Sequence, residues 1–364
     1  MRVVLGVTAR VRSRRFFKKN SLKMRFVPAA LSAAIAAAAL ALVPANLLAD
    51  ATKVACVGDS ITFGYLIPTR AADNYPKILG ELLGPDFEVK NFGNPGKTCG
   101  DYPSQRAGKR WYGDNAEHAE AVAWQADIYI GNLGINDTGA WWNEKLFVEG
   151  YERLIKDWRG DRKNVPVFIW TKLAPDFRGP DGRAAFPGNV FLPEFSFPKA
   201  DNGSSARRPT AEKLLAGTVK KQKLIAIDAY SPLAAHPEMM LADGLHPNAA
   251  GARRIAEFTF AALVRADLPK IKIEQKTPKI VPAKDGKSVK LKNAGETAIL
   301  LDGAKLSAGG NAEFAFENAT VIPPRGEISV SLGAKSDQKD PALPLASAKI
   351  KKASGIKFVP AGKR

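Results

Sequence analysis

The sequence contains few of the side chains that form disulfide scaffolds or metal centres. Among 364 residues there are two cysteines and three histidines. Two cysteines are too few for a disulfide-rich fold or a cysteine-built zinc module. His118, His236 and His246 show neither the HxH nor the HExxH spacing of histidine-built metal sites. The sequence therefore argues against a metal centre made from either residue type.

Charge is unevenly distributed along the chain. The formal net charge is +18 at pH 7, which by itself favours a nucleic-acid-binding protein. Residues 1–51 carry nine Lys/Arg against one Asp, and residues 270–364 carry eighteen against nine acidic residues. Residues 52–269 carry twenty-seven against twenty-six. Because this central part is almost neutral and contains no recognisable nucleic-acid-binding module, we do not expect nucleic acid as a partner.

Residues 1–51 have the pattern of a secretory signal peptide. A basic stretch at 2–25 precedes an Ala/Leu run that ends at Val43, and Ala49-Asp50-Ala51 provides a small-x-small cleavage site. The apolar run is shorter than the ~20 residues of a membrane span, and no later window approaches one. An uncleaved N-terminal anchor is the alternative, and Met24 is an alternative start. We therefore expect a protein that is secreted or resides in the periplasm or cell envelope.

Export would place Cys56 and Cys99 in an oxidising compartment, where disulfides are allowed. Cys56 falls within an apolar strand, whereas Cys99 follows a loop at the strand tips. Four strand residues span ~13 Å, so the geometry disfavours a bond between the two. A disulfide and two separate thiols both stay open at this point.

Residues 52–269 alternate between short apolar runs and amphipathic helical patterns. The runs that indicate strands are 53–58, 87–92, 127–133, 165–171 and 224–228. The helical patterns are 74–83, 117–124, 144–158, 210–220 and 250–266. Apolar strands that alternate with helices indicate a parallel sheet covered on both faces. In such α/β folds, ligands bind beyond the carboxyl ends of the strands.

One long segment interrupts this alternation. Residues 172–208 are rich in Gly and Pro and contain five phenylalanines. A loop of this length in a compact domain is usually functional or disordered. It either forms a wall of a substrate site or is a surface elaboration.

Polar blocks follow four of the predicted strands. They contain Ser60 after the first strand, Gly96 after the second, Asn136 after the third, and Asp243 with His246 after the fifth. A serine hydroxyl is a weak nucleophile until a base removes its proton. His246 is the candidate base, and Asp243 can bind its other ring nitrogen. We therefore predict that Ser60, Asp243 and His246 are catalytic.

The same blocks contain donors for a developing oxyanion. The backbone N–H of Ser60 lies at a strand-to-helix junction, Gly96 allows close approach to the backbone, and Asn136 supplies a side-chain amide. Such donors stabilise the charge of an acyl-transfer transition state. We predict these three as the oxyanion hole, with Asp59 and Asp137 as supporting residues, Asp137 by orienting its loop.

In combination the four blocks resemble the SGNH/GDSL hydrolase family, whose four letters correspond here to Ser60, Gly96, Asn136 and His246. The similarity extends from about residue 53 to residue 266, with GDSIT where many members have GDSL. It implies a three-layer α/β/α sandwich with a five-stranded parallel sheet of flavodoxin-like type. It also implies a Ser-His-Asp triad, an acyl-enzyme, and no metal or organic cofactor. The sequence has no GxSxG elbow, which disfavours the α/β-hydrolase alternative.

The amino-acid sequences of the four blocks are most similar to those of bacterial sialate- and polysaccharide-type O-acetylesterases. Trp141 and Trp142 follow the third block and are candidates for stacking on a sugar, although packing is their commoner role. We expect a carbohydrate acetylesterase. A lipolytic or thioester hydrolase, and a non-catalytic protein that binds a glycan or cell wall, are the alternatives. We expect His118, which lies on a polar helical pattern, to be a solvated surface residue without a catalytic role. We also assign Arg207 and Arg208 to a solvated surface.

The composition changes after residue 269. Apolar alternation at 288–292, 297–301, 312–316 and 327–332 predicts a small antiparallel β-sandwich over 270–335. Its turn before the last strand is weakly similar to bacterial lamin-tail-like domains. Residues 336–364 read as a basic flexible tail. The excess positive charge favours attachment to an acidic polysaccharide or wall polymer.

Overall fold

The computed structural model describes residues 51–175, 204–228, 232–234, 236–266, 268, 270–284, 286–308, 313–332 and 355–361. It also describes the strand segments 185–186, 190–191 and 345–347. The signal-peptide prediction, and most of the loop predicted between 172 and 208, lie outside these residues.

The first part of the chain alternates strands with helices, as its apolar pattern predicts. Its strands are β1 Thr52–Gly58, β2 Phe87–Gly93, β3 Ile128–Asn132, β4 Val167–Lys172, the two-residue strands β5 Ala185–Phe186 and β6 Val190–Phe191, and β7 Ile225–Asp228. Its helices are α1 Ser60–Phe63, α2 Arg70–Asp73, α3 Tyr75–Leu83, α4 Ala116–Ala123, α5 Glu144–Arg159, α6 Ser204–Gln222 and α7 Ala249–Arg265.

Five of these strands form one parallel sheet in the order β2-β1-β3-β4-β7. Side chains alternate across β1, so that Val54 and Cys56 enter one apolar cluster and Ala55 and Val57 the other. Helices α3 and α7 contribute to the first cluster, and α4, α5 and α6 to the second. The predicted three-layer α/β/α architecture with a five-stranded parallel sheet is confirmed.

The two cysteines lie in these layers without forming a bond. Both are buried and free. Burial raises the pKa of each thiol well above its ordinary value. Of the two alternatives left open by the sequence, the structure has the separate thiols.

Helix α6 begins earlier than its sequence pattern predicts. The pattern placed the start near residue 210, but the helix begins at Ser204 and contains Pro209. Serine and proline are typical of turns, so the sequence of residues 204–209 predicted a loop. The assignment of Arg207 to a solvated surface is wrong, because its Nη1 lies 3.0 Å from the Thr138 carbonyl oxygen and 2.8 Å from that of Gly139. Arg208 likewise donates to the Ala174 carbonyl.

The C-terminal region consists of small, mostly antiparallel sheets. Its strands are β8 Lys279–Pro282, β9 Ser288–Lys292, β10 Ile299–Leu300, β11 Lys305–Ser307, β12 Glu313–Ala315, β13 Val321–Ile322, β14 Glu327–Leu332, β15 Leu345–Ser347 and β16 Lys357–Val359. Strands β15 and β16 pair with β14 and β11, so these parts of the predicted flexible tail are strands. The apolar side chain of Phe358 packs against the cluster that holds these sheets together, which favours pairing over a free tail.

The C-terminal sheets contact the α/β layers directly. Ala298 and Val321 are buried in the same apolar cluster as Leu82 and Leu83 of α3. The backbone N–H of Ala298 also donates to the Leu82 carbonyl at 2.8 Å. Burial of shared apolar surface stabilises such an interface. Among the described residues, no helix has the length and apolar character needed to cross a membrane.

Helix α5 approaches the loop after β2 closely at Gly150. A Cβ at this position would overlap the Cys99 carbonyl oxygen and crowd the Gly100 Cα. We predict that Gly150→Ala lowers the free energy of unfolding by about 1–3 kcal/mol, since the backbone must move to accept the methyl group. Thermal or urea unfolding measures this loss.

The matched control is Gly217→Ala in α6, where an added Cβ meets no atom within 4 Å. There the better helix propensity of alanine should leave stability unchanged or raise it by up to about 1 kcal/mol. Equal stabilities of the two variants would contradict the close approach of α5 to this loop.

Candidate active site

Ser60 is presented by the tight connection between β1 and α1. A Cβ on Gly58 would overlap both the Thr62 hydroxyl and the Asn132 carbonyl, so this connection requires glycine. Asp59 then caps α1, with its carboxylate accepting the Ile61 N–H at 2.9 Å. Ser60 is therefore the first helical residue, at the carboxyl end of β1, and is 7% exposed.

His246 is held by a turn that Asp243 stabilises. The Asp243 Oδ1 accepts the backbone N–H groups of Leu245 and His246, both at 2.9 Å. Gly244 has φ +66°, which glycine adopts readily. The turn closes with a 2.7 Å bond from the Leu241 N–H to the His246 carbonyl. The carboxylate of Asp243 therefore holds the backbone that carries the His246 imidazole in one conformation.

The three predicted catalytic side chains form one continuous set of hydrogen bonds. His246 Nε2 lies 2.8 Å from Ser60 Oγ, although the two residues are 186 positions apart. His246 Nδ1 lies 2.5 Å from Asp243 Oδ2. Burial raises the pKa of Asp243, but the bonds from the imidazole and the two backbone N–H groups outweigh this, and the pKa lies below its ordinary value. The carboxylate stays charged and can hold the imidazole with Nδ1 protonated and Nε2 free to accept the serine proton.

The predicted oxyanion residues come from neighbouring loops. Gly96 has φ +75°, a conformation that favours glycine. The Asn136 side-chain amide donates to the Lys97 carbonyl at 3.0 Å and lies 3.5 Å from Asp59 Oδ2. Asn136 thus contacts the residue after Gly96 and the residue before Ser60. These contacts bring together the blocks that contain Ser60, Gly96 and Asn136. The role of these three residues as oxyanion donors stays a prediction.

Asp59 is fully buried beneath this site. Burial raises its pKa to about 7, although the Ile61 N–H and the Coulombic interaction with His246 oppose the shift. The nearby charge of Asp137 raises the pKa further. At neutral pH the Asp59 side chain is therefore protonated part of the time, unlike an ordinary aspartate.

Asp137 ties the third block to the second. Its carboxylate accepts the N–H groups of Cys99 at 3.1 Å and Gly100 at 2.8 Å, and the Tyr102 hydroxyl at 2.9 Å. The Cys99 thiol lies 3.4 Å from the same carboxylate. Burial raises the pKa of Asp137 to about 6 against these bonds. Contacts of this kind fit the predicted role of orienting a loop.

The two tryptophans after the third block are both partly buried by protein. Trp142 packs against Phe147, with ring centroids 5.0 Å apart, and joins the second apolar cluster. The Trp141 ring contacts Gly139 and lies under the guanidinium of Arg110, with 4.8 Å between Cζ and the ring centroid. Their stacking on a sugar stays a prediction, and the structure shows a packing role for each.

Sequence reasoning missed two residues near the site. Tyr65 follows α1, lies 5.2 Å from His246 between ring centroids, and is 42% exposed. Arg110 donates from Nη1 to the Gly96 carbonyl at 3.3 Å. Tyr65 lies only five positions after Ser60, and this spacing was the one available signal. Arg110 lies in an irregular loop whose position no periodicity predicts.

The expectation that His118 lies on a polar face is wrong. It is 6% exposed, and its Nε2 lies 3.2 Å from Asp157 Oδ2. Burial lowers the pKa of His118, while the Asp157 contact opposes this. A packed histidine paired with a neighbouring helix is difficult to recognise from a short pattern that is mostly alanine and glutamate. His236 pairs with Glu238 at 2.7 Å and lies outside the catalytic set.

Comparison with known sequences gives one family match. The sequence profile of the GDSL-like lipase/acylhydrolase family matches residues 56–254, more than half of the chain. All the predicted catalytic and oxyanion residues fall in this span.

Individual relatives are more distant. An acetylxylan esterase from Xylanibacter ruminicola is 29% identical over 224 residues, which cover 59% of this chain and 43% of the relative. The chain therefore spans less than half the length of that relative. The inhibitor-bound aryl esterase of M. smegmatis is 20% identical and covers 59% of this chain and 99% of its own, with a TM-score of 0.44. A catalytic mutant of an acetylxylan esterase from Geobacillus stearothermophilus is 14% identical, with a TM-score of 0.38. The match covers 58% of this chain and 94% of that protein.

The contacts of Asp137 predict an unusual sensitivity to an almost isosteric change. In Asp137→Asn, an amide NH₂ replaces one carboxylate oxygen and faces N–H and O–H donors. An unmatched buried donor costs about 1–3 kcal/mol, so both stability and kcat on nitrophenyl acetate should fall. Urea unfolding and steady-state kinetics measure the two effects.

Asp127→Asn is the matched control. Asp127 is exposed and accepts one backbone N–H, from Lys53 at 2.9 Å, which an amide oxygen can also accept. This variant should behave like the wild type. If Asp137→Asn did so too, the carboxylate would not be organising the loop after β2.

Proposed function

The chain belongs to the GDSL-like lipase/acylhydrolase family of ester hydrolases, and we propose that it is an exported serine esterase that removes acetyl or other short acyl groups from a carbohydrate. The observation that carries the proposal is the continuous hydrogen bonding from Asp243 through His246 to Ser60. Its distances are those of a nucleophile with a base that is itself oriented by a carboxylate.

In the first half of the reaction, Ser60 becomes acylated. Its Oγ attacks the acyl carbonyl carbon while His246 Nε2 takes the hydroxyl proton. The Asp243 carboxylate stabilises the imidazolium that results. When the tetrahedral intermediate collapses, Nε2 gives the proton to the departing sugar oxygen, so the alcohol leaves neutral. The acyl group is then bound to Ser60.

In the second half, water replaces the sugar. His246 Nε2 removes a proton from water as its oxygen attacks the acyl-enzyme, and the same proton then returns to Ser60 Oγ. The carboxylic acid leaves, and Ser60 and His246 regain their starting states. Each half has a tetrahedral oxyanion, for which the Ser60 N–H, the Gly96 N–H and the Asn136 amide are the proposed donors. Each donor of this kind contributes about 3–4 kcal/mol to transition-state stabilisation.

One observation supports a short acyl group on a sugar: a relative at 29% identity is an acetylxylan esterase. The recess next to Ser60 and His246, whose walls include Tyr65, is too narrow to admit a water molecule, so it does not distinguish acyl chain lengths.

Export and attachment belong to the same proposal. The basic, apolar and small-residue pattern of residues 1–51 supports passage through a secretory route. The net positive charge of residues 270–364 supports contact with an acidic polysaccharide or wall polymer. Within this region Lys292 pairs with Glu327 at 3.0 Å, so part of that charge is locally balanced.

Acetate release from a panel of acetylated glycans tests this function. We expect the wild type to release acetate from at least one glycan, and Ser60→Ala to lose more than about a thousandfold of the rate, since the nucleophile is missing. Ser104→Ala removes an exposed serine hydroxyl from the same chain and should retain the wild-type rate. The same glycans, used as binding targets at low and high salt, test attachment through charge.

The other outcomes separate the alternatives. Ser60-dependent turnover of long-chain or thioesters, without acetate release from any glycan, would replace the proposal with a lipolytic or thioester hydrolase. Glycan binding without Ser60-dependent turnover of any ester would contradict the enzyme and leave a non-catalytic binding protein.

A further inference from the structure

Arg110 occupies a position beside the proposed oxyanion hole that the reaction described above does not use. Its Nη1 lies 3.3 Å from the Gly96 carbonyl oxygen, and a Cβ on Gly96 would lie 3.9 Å from the same nitrogen. That carbonyl belongs to the peptide unit after the one that carries the Gly96 N–H. The guanidinium is therefore next to the proposed oxyanion donor but faces a different peptide unit. This position suits contact with a part of the substrate other than the reacting carbonyl.

The Arg110 guanidinium contacts the protein at two points, the Gly96 carbonyl oxygen through Nη1 and the face of the Trp141 ring. Its Cζ lies 4.8 Å from the centroid of the Trp141 ring, a cation–π contact. Its backbone carbonyl accepts the Thr98 N–H at 2.8 Å, which fixes the loop that carries it to the loop after β2. An arginine fixed in this way loses little conformational entropy when it binds a ligand. Trp141 thus supports the cation instead of leaving that side of its ring open for a sugar.

The surrounding charges leave this region positive. Burial lowers the pKa of Lys97, and the charges of Arg110 and Lys109 lower it further, while Glu117 opposes the shift. The Glu117 carboxylate accepts the Asn94 side-chain amide at 2.7 Å. Within the described part of the chain, no carboxylate lies within ion-pair distance of Arg110. The neighbouring Arg106 differs, since it is paired with Asp101 at 2.9 Å.

A half-buried arginine that is fixed, beside a reaction site and without a carboxylate partner is suited to a planar anion. We propose that Arg110 binds a carboxylate of the substrate, so that the ester removed is carried by an acidic sugar, of the uronic or sialic acid class. This inference rests on the proposed esterase function and narrows its substrate. Lys97 and Lys109 add to the attraction of such a substrate before it is bound.

The test compares two sugars that differ in one group. Nitrophenyl glucuronide and nitrophenyl glucoside, acetylated at the same ring hydroxyls, present the ester with and without a carboxylate. We expect the wild type to have the higher kcat/KM for acetate release on the glucuronide. In Arg110→Gln the ratio of kcat/KM on the glucuronide to kcat/KM on the glucoside should fall roughly tenfold or more. A change of this size corresponds to the loss of about one charge-assisted hydrogen bond. Arg110→Lys should give an intermediate ratio, because it keeps the charge but not the planar fork.

Lys163→Gln is the control for a change in net charge. Lys163 is exposed in the turn that leads into β4, at the opposite edge of the sheet from Ser60, and its loss should leave the ratio unchanged. A ratio near one in the wild type, or an unchanged ratio in Arg110→Gln, would overturn the inference while leaving the esterase intact. Failure of the wild type to hydrolyse nitrophenyl acetate or either sugar would instead reject the proposed function. Thermal unfolding of each variant shows whether it is folded, and Arg110→Lys provides the test if Arg110→Gln is not.

Discussion

The parallel alignment of β1, β2 and β3 is the constraint on which the candidate site depends. Because these strands are neighbours and point the same way, their carboxyl ends deliver Ser60, Gly96 and Asn136 to one edge of the sheet. His246 reaches the same edge by a different route, on the turn that precedes α7. None of the four is close to another in sequence, so the hydrogen bond between Ser60 and His246 exists only when the sheet is assembled. The site is therefore a property of the fold, not of a local motif.

Three carboxylates, two of them fully buried, hold these loops together. Asp59 caps α1 below Ser60, Asp137 holds the Cys99–Gly100 backbone, and Asp243 fixes the turn of His246. The three carboxyl groups differ in whether burial or hydrogen bonding has the larger effect on the pKa. Burial dominates at Asp59 and Asp137 and raises the pKa of each, whereas at Asp243 hydrogen bonds prevail and lower it. The lowered pKa keeps Asp243 charged, as stabilisation of the imidazolium in an acyl-transfer reaction requires. Two of these acids thus suit organisation of the backbone, and one suits stabilisation of charge.

The five strands of the sheet could be predicted from sequence because their apolar runs are nearly continuous, and each lies within about two residues of its predicted bounds. The polar blocks at their ends could be predicted because the carboxyl edge of such a sheet is where chemistry occurs. Features that depend on tertiary contacts could not be predicted. His118 is buried through contacts with Tyr112 and with Asp157 of α5. Arg207 reaches its carbonyl partners because α6 begins before Pro209. Arg110 reaches Gly96 from an irregular loop, and strands β15 and β16 form only against partners that precede them in the chain.

The proposed function depends on a covalent acyl intermediate on Ser60 that forms with His246 as its base. The most direct measurement is mass spectrometry of the protein quenched in acid during turnover of nitrophenyl acetate, followed by peptide mapping. We expect a mass increase of one acetyl group on the peptide that contains Ser60. We also expect more of this species in a His246→Ala variant supplied with imidazole and quenched before deacylation than in the same variant without imidazole. Turnover with no acetyl group on Ser60 at any quench time, or an acetyl group on another residue that turns over at the catalytic rate, would show that Ser60 is not the nucleophile.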